Sequence, residues 1–167
     1  ATLSGPVFAN AELAQKKITD AEWEVMRVVW TNGKATSREI ISVLQEKMDW
    51  KQATIKTLIG RLVDKGLLAT EPIGNKFIYS ANVSEQESVG GATEDLLAHV
   101  CTKKVGRTIA ELIDRATLSH ADVAMLEKAI AIKKRTAVDE VKCMCTPGQC
   151  NCKQTGCVHK EESPDGK

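Results

Sequence analysis

Nowhere in its 167 residues does the chain carry the run of about 18 apolar residues that a membrane-spanning helix needs, so no membrane partner is expected. The stretch Ala1 to Lys17 also lacks the basic-then-apolar layout of a secretory signal, and a cytoplasmic location is expected. A large excess of charge is missing too: the formal net charge is +1, so any surface that attracts nucleic acid must be local. There is no phosphate-cradling glycine loop, no paired carboxylates in a catalytic motif and no metal site with an open corner. An enzyme is therefore not expected. Cysteines are not dispersed as they would be in a disulfide framework, because five of the six lie between Cys143 and Cys157.

What those cysteines make instead is a soft-metal motif. Cys143, Cys145, Cys150 and Cys152 stand two by two about the turn-forming Pro147-Gly148, a spacing that gathers four sulfurs around one point. Thiolates select Zn(II), Cu(I) or iron–sulfur clusters over hard cations, and four of them close a tetrahedral site without leaving a catalytic vacancy. Cys157 and His159 repeat the Cys-x-Cys spacing with a histidine in the second place; they are candidates for additional metal ligands, although a variable tail is the favoured reading of this pair. His99 and Cys101, in or just after an apolar helix, read as packed residues rather than ligands, and His120 reads the same way.

The body of the chain is helical. Thr19-Asp20-Ala21-Glu22 and Thr36-Ser37-Arg38-Glu39 are capping boxes, the first opening a helix to about Trp30 and the second a helix through Met48. Asp49, with Gln52 three residues on, is expected to cap a third helix whose stripe is Ile55, Leu58, Ile59, Leu62 and Val63, with Gly66 as its left-handed stop. Two β-prone runs, Leu67–Thr70 and Lys76–Ser80, are joined by Glu71–Asn75 and read as a hairpin. Three helices and a hairpin make a winged-helix plan.

Later helices begin at Ser84, near Val105 and at the Ser119 cap. They carry the apolar positions Leu96, Leu97, Val100, Ile109, Leu112, Ile113, Val123, Leu126 and Ile130. These stripes exceed what the winged part can cover, which points to a second copy of the chain and a homodimer. The expected fold is mainly α with a small β-hairpin. A weakly ordered extension over residues 1–17 precedes a winged helix-turn-helix DNA-binding domain over 18–82. A helical dimerisation domain over 83–138 and a cysteine-rich metal-binding tail over 139–167 follow.

With Ile55, Leu58, Ile59 and Leu62 turned inward, the third helix presents Ala53, Lys56, Thr57, Gly60 and Arg61 outward, with Thr54 at the edge. Short and hydroxylated side chains let a helix sit deep in the major groove, and the Arg61 fork suits a phosphate or a guanine. Trp50 and Lys51 at the helix start, Ser37 and Arg38 on the preceding helix and Lys76 in the wing complete the candidate DNA contacts.

Three segments closely resemble the penicillinase-repressor family of winged-helix regulators: Ile18 to Trp30, beginning Ile18-Thr19-Asp20-Ala21-Glu22-Trp23; Ala53 to Gly66, containing Thr54-Ile55-Lys56-Thr57-Leu58; and Phe77-Ile78-Tyr79. With the terminal Cys-x-Cys-x4-Cys-x-Cys, the resemblance is to the CopY-type copper-responsive branch of that family. It implies a homodimer that holds an inverted-repeat double-stranded operator of the TACA-n-n-TGTA type while its cysteines carry zinc. It further implies release when Cu(I), the inducer, replaces the zinc, with a copper chaperone as donor and copper-export genes as targets. Thr54, Thr57 and Arg61 match family positions expected to contact DNA, whereas Ala53 stands where penicillinase repressors commonly have a basic residue. The reading from another class is a metal storage or delivery protein whose helical body only dimerises.

Overall fold

The computed structural model describes residues 12–151, and these divide between two compact units, Ala1–Glu94 and Asp95–Lys167. The candidate ligands Cys152, Cys157 and His159 therefore lie outside the described residues, as do residues 1–11.

The first unit is a winged helix. Helix α1 (Asp20–Asn32) starts where the Thr19 hydroxyl accepts the Glu22 amide. A three-residue strand β1 (Lys34–Thr36) leads into α2 (Ser37–Lys47), whose N-terminus is closed by the full capping box between Thr36 and Glu39. Helix α3 (Gln52–Asp64) follows, then β2 (Leu68–Ile73) and β3 (Lys76–Ala81). The sheet order is β1-β3-β2, antiparallel throughout, with Ala35 opposite Tyr79 and Pro72 opposite Phe77. Pro72 is tolerated because β2 is an edge strand.

Several local expectations change. Asp49 does not cap α3; its φ is +38° and the N-cap is Lys51, which makes no side-chain cap bond. The hairpin is longer than its β-prone runs suggest, because cross-strand pairing carries Glu71–Ile73 into β2 and leaves a two-residue turn, Gly74-Asn75. Gly74, at φ +59°, sits where such tight hairpin turns need glycine. Strand β1 is an addition: three residues are too short for a sequence signal, and only the neighbouring β3 makes them a strand. Gly66 behaves as expected. At φ +78° it ends α3 in a Schellman motif, with Leu67 N–H on the Leu62 carbonyl and Gly66 N–H on that of Val63.

The core of this unit is aliphatic: Val25, Met26, Val29, Ile40, Leu44, Ile55, Leu62 and Leu67 are all essentially inaccessible to solvent. Ile18 packs on its margin, as do Leu13 and Ala14 from the end of the preceding segment. Trp30 donates its indole N–H to the Val83 carbonyl at 2.9 Å, tying the exit of β3 to α1.

One charge is buried there. Glu22 is 1% exposed, and its carboxylate accepts from Lys65 Nζ at 2.7 and 2.8 Å and from the Thr19 hydroxyl at 2.8 Å. Burial pushes the Glu22 carboxyl up, but the hydrogen bonds from Lys65 and Thr19 and the lysine charge outweigh it, leaving the pKa below its ordinary value. The stability this contributes is complete above the unfolded carboxylate pKa and is lost as pH falls through the depressed folded one. Lys65→Met strands the carboxylate and is expected to cost about 2 kcal/mol at neutral pH, discounted because the lysine is partly exposed, whereas Glu22→Gln should cost less. Urea titrations at pH 7 and pH 4 check this; the Lys65→Met deficit should shrink at the lower pH.

Helix α4 (Glu85–Ala98) is capped by reciprocal bonds between Ser84 and Glu87 and runs through the boundary between the units. In the second unit, a single 3₁₀ turn over Thr102–Lys104 leads directly into α5 (Val105–Arg115), and the Ser119–Asp122 capping box opens α6 (His120–Lys133). No residue of α5 or α6 is buried within the chain. Leu96, Ile109, Leu112, Ile113, Val123 and Ile130 are exposed, and Leu97, Val100 and Leu126 are half-buried. Met125 and Ile132 add exposed apolar surface outside the single stripe expected on α6. None of the described helices is long and apolar enough to cross a membrane.

Candidate nucleic-acid interface and metal centre

Helix α3 is divided sharply between its two faces. Ile55, Leu58, Ile59 and Leu62 are buried, while Lys51, Ala53, Thr54, Lys56, Thr57, Gly60 and Arg61 are exposed. The hydroxyl of the exposed Thr57 donates to the Ala53 carbonyl at 3.0 Å, which leaves its oxygen lone pairs available to accept. Ser37, half-buried at the first turn of α2, lines a hollow of about 380 Å³ together with Lys56, Gly60, Thr70 and Tyr79. The start of one helix, the outer face of the next and the sheet thus meet around a lysine and a serine hydroxyl, a pairing suited to a phosphate.

Arg38 and Lys76 are exposed as expected. The Glu39 carboxyl lies below its ordinary pKa, held there first by the Thr36 amide, then by the Thr36 hydroxyl and, more weakly, by the charge of Lys76. The wing lysine therefore lies within electrostatic reach of the α2 N-terminus. Trp50, half-buried like Ser37, packs against the core, so only part of the ring is available to a ligand.

The second unit gathers thiols. Sulfurs of Cys101, Cys143, Cys145 and Cys150 all lie within 4.8 Å of one another. Cys143 Sγ stands 3.5 Å from both Cys101 Sγ and Cys150 Sγ, far beyond a disulfide bond, and accepts the Cys145 amide at 3.4 Å. A turn brings the tail round on itself, with Gln149 N–H on the Thr146 carbonyl and Gly148 at φ +93°. Burial and the three neighbouring thiols push the Cys145 thiol up to about 12.

The donor set fits a thiophilic metal. Tetrahedral zinc, with Zn–S of about 2.3 Å, separates its sulfurs by about 3.8 Å, close to the observed spacing. Three of the four ligands expected from the motif are here, and Cys152 lies outside the described residues. Cys101 is the member of the cluster that the sequence reading sets aside. It is buried, as expected of a packed residue in an apolar region, but its neighbours are thiols. The available signal is its place immediately before a helix start in a chain whose other thiols all belong to the tail.

The penicillinase repressor family model matches residues 18–132. The chain belongs to the penicillinase repressor family. Its members are winged-helix transcriptional repressors of the BlaI and MecI type, and the winged unit described above is the family's DNA-binding fold. Among relatives, an uncharacterised 16.5 kDa protein from the ptsI 3′ region of Latilactobacillus sakei is 49% identical over 138 residues, covering 83% of this chain and 94% of that protein. A penicillinase repressor of Bacillus licheniformis is 27% identical over 107 residues, covering 64% and 84% respectively. Among solved structures, the Bacillus licheniformis BlaI monomer in complex with the blaP half-operator is 36% identical, covers 43% of this chain and 88% of that one, and superposes with a TM-score of 0.40. The penicillinase repressor match ends at residue 132, so the described thiols of Cys143, Cys145 and Cys150 lie beyond it.

Proposed function

We propose that this penicillinase-family repressor is metal-responsive: a homodimer that grips an inverted-repeat operator while its tail thiolates hold zinc, and lets go when they take Cu(I) instead. The observation that carries the reading is the gathering of four cysteine sulfurs within 4.8 Å in a chain whose other unit is a winged helix. Thiolates of this kind prefer the softer ion, so copper can take over the sulfurs without any change of ligands. In a reducing cytoplasm the thiols remain available for that exchange.

On the DNA side, Thr54, Thr57 and Arg61 on the exposed face of α3 would read the major groove, while Ser37, Arg38, Lys51, Lys56 and Lys76 would hold phosphates. Trp50 would add a contact through its exposed edge. The unburied apolar surfaces of α5 and α6 supply the second copy's docking face, and two-fold symmetry then matches the protein to a palindrome. De-repression would turn on copper-export genes, with a copper chaperone delivering the ion. Coupling between metal and operator of about 1–3 kcal/mol, typical of such linkages, is enough for the switch.

The test is an anaerobic titration of labelled inverted-repeat DNA bound by zinc-loaded protein. One equivalent series receives Cu(I) and the other more zinc, at fixed salt. Operator affinity should fall roughly 5- to 150-fold with copper as zinc appears in solution. Equal affinity of the two metal forms would sink the proposal.

A further inference from the structure

We propose that Cys101 is a ligand of the same soft-metal site, so that the metal closes the base of a single chain's dimerisation segment. This deepens the function proposed above and rests on the tail thiolates binding metal. Within the unit Asp95–Lys167, the buried residues among those described are Cys101 and Cys143, with Cys145 and Cys150 packed against them. A core of this kind has almost no hydrocarbon to bury. What organises a knot of thiols is a metal, and the free energy of metal binding is then folding free energy.

The backbone around the pair is arranged to bring them together. Thr102 donates its hydroxyl to the Lys142 carbonyl at 2.6 Å, and Lys103 Nζ meets Glu140 Oε1 at 3.0 Å. Residues 101–103 and 140–143 therefore run side by side, which sets Cys101 Sγ 3.5 Å from Cys143 Sγ across 42 positions of sequence. A hollow of about 710 Å³, lined by His99, Cys101, Met144, Cys145 and Cys150, opens on these sulfurs and gives a metal its way in and out.

Between the two cysteines lie the 3₁₀ turn, α5, α6 and their connections. A metal held by Cys101 and the tail therefore clips the two ends of that segment, and clips on long loops gain the most from closure. The Lys104 amide donates to the Cys101 carbonyl at 2.7 Å in the turn that enters α5, so the ligand sits at the root of the helix carrying Ile109, Leu112 and Ile113. A change in coordination at the sulfurs is thereby felt at the start of that helix, without any intermediary.

The experiment counts thiolates by the sulfur-to-metal charge-transfer intensity of cobalt(II)-loaded full-length protein, alongside competition for zinc. Four thiolates are expected in the unsubstituted chain. Cys101→Ser should reduce the count to three and weaken zinc binding beyond the roughly 10- to 100-fold that loss of a mere supporting partner costs. A count unchanged by Cys101→Ser but lowered by Cys152→Ser would overturn the assignment of Cys101 while leaving the tail site and the proposed function intact. A chain that binds no cobalt at all would overturn both. Helix content of the metal-free proteins, compared by circular dichroism, separates loss of a ligand from loss of the fold. Closure within one chain has its own readout: dimers mixed from Cys101→Ser and Cys143→Ser chains should not regain a four-thiolate site. A regained site would show that the sulfurs come from two chains.

Discussion

Replacing Leu112 with glutamate should turn the operator-binding dimer into a monomer and lower affinity for a full inverted repeat by roughly a hundredfold or more. Leu112 is 50% exposed in the chain, on the same helix as Ile109 and Ile113. Because the proposed interface is two-fold, one substitution places two carboxylates in it. Burying an uncompensated charge costs about 3–5 kcal/mol, more than a surface of this kind can readily absorb. Each half-site is then bound independently, and the gain from tethering two reading heads, commonly about 10²- to 10⁴-fold, disappears. Sedimentation analysis together with titration of full and half operators checks both consequences. The winged unit should stay folded, because Leu112 lies outside its core. If Leu112→Glu protein still sediments as a dimer, α5 is not the interface.

The second large effect separates the two faces of α3. Ile55 is fully buried, so Ile55→Ala should destabilise the winged unit by about 3 kcal/mol through lost transfer free energy and the cavity left behind. For a unit of this size that corresponds to a fall in Tm of about 15 °C. Arg61, further along on the exposed face, should behave in the opposite way. Arg61→Ala should leave the thermal midpoint within about a degree and weaken operator binding by about 1–3 kcal/mol. If the lost contact is a phosphate, the salt dependence becomes shallower; if it is a guanine, discrimination between operator sequences falls at one position. Scanning calorimetry and salt-titrated mobility shifts on the two variants distinguish core from contact. A stable Ile55→Ala protein, or an Arg61→Ala protein that melts early, would contradict the assignment of faces.

Both predictions depend on features legible in the amino-acid sequence. The 3.6-residue recurrence of Ile55, Leu58, Ile59, Leu62 and Val63 assigns the inner face of α3; the first four are buried, and Val63 is half-buried against the core. The caps at Thr19, Thr36, Ser84 and Ser119 and the glycine stop at Gly66 are readable because their bonds join residues only a few positions apart. The exposed apolar stripe of α5 is readable for the same reason.

Sequence and fold part company where a local signal competes with a distant partner. Asp49 has the side chain of a cap, but the turn between α2 and α3 places it at positive φ and hands the N-cap position to Lys51. Trp50 stands at a helix start, where a backbone contact is expected, yet much of its ring is taken up by the core.

By itself, the sequence determined the winged-helix plan, the inner and outer faces of its third helix, and the presence of a thiolate tail, because hydrophobic periodicity, capping and Cys-x-Cys spacing all act over a few residues. Only the tertiary structure decided that Lys34–Thr36 forms a strand, that Glu71–Ile73 extends the wing, and that Cys101 joins Cys143, Cys145 and Cys150. The strand and the sulfur depend on partners far away in the chain, and a sulfur 42 residues from its neighbour leaves no periodic trace of where folding will bring it; Glu71–Ile73 depends on pairing across the turn with Lys76–Ile78, which overrides a weak strand propensity.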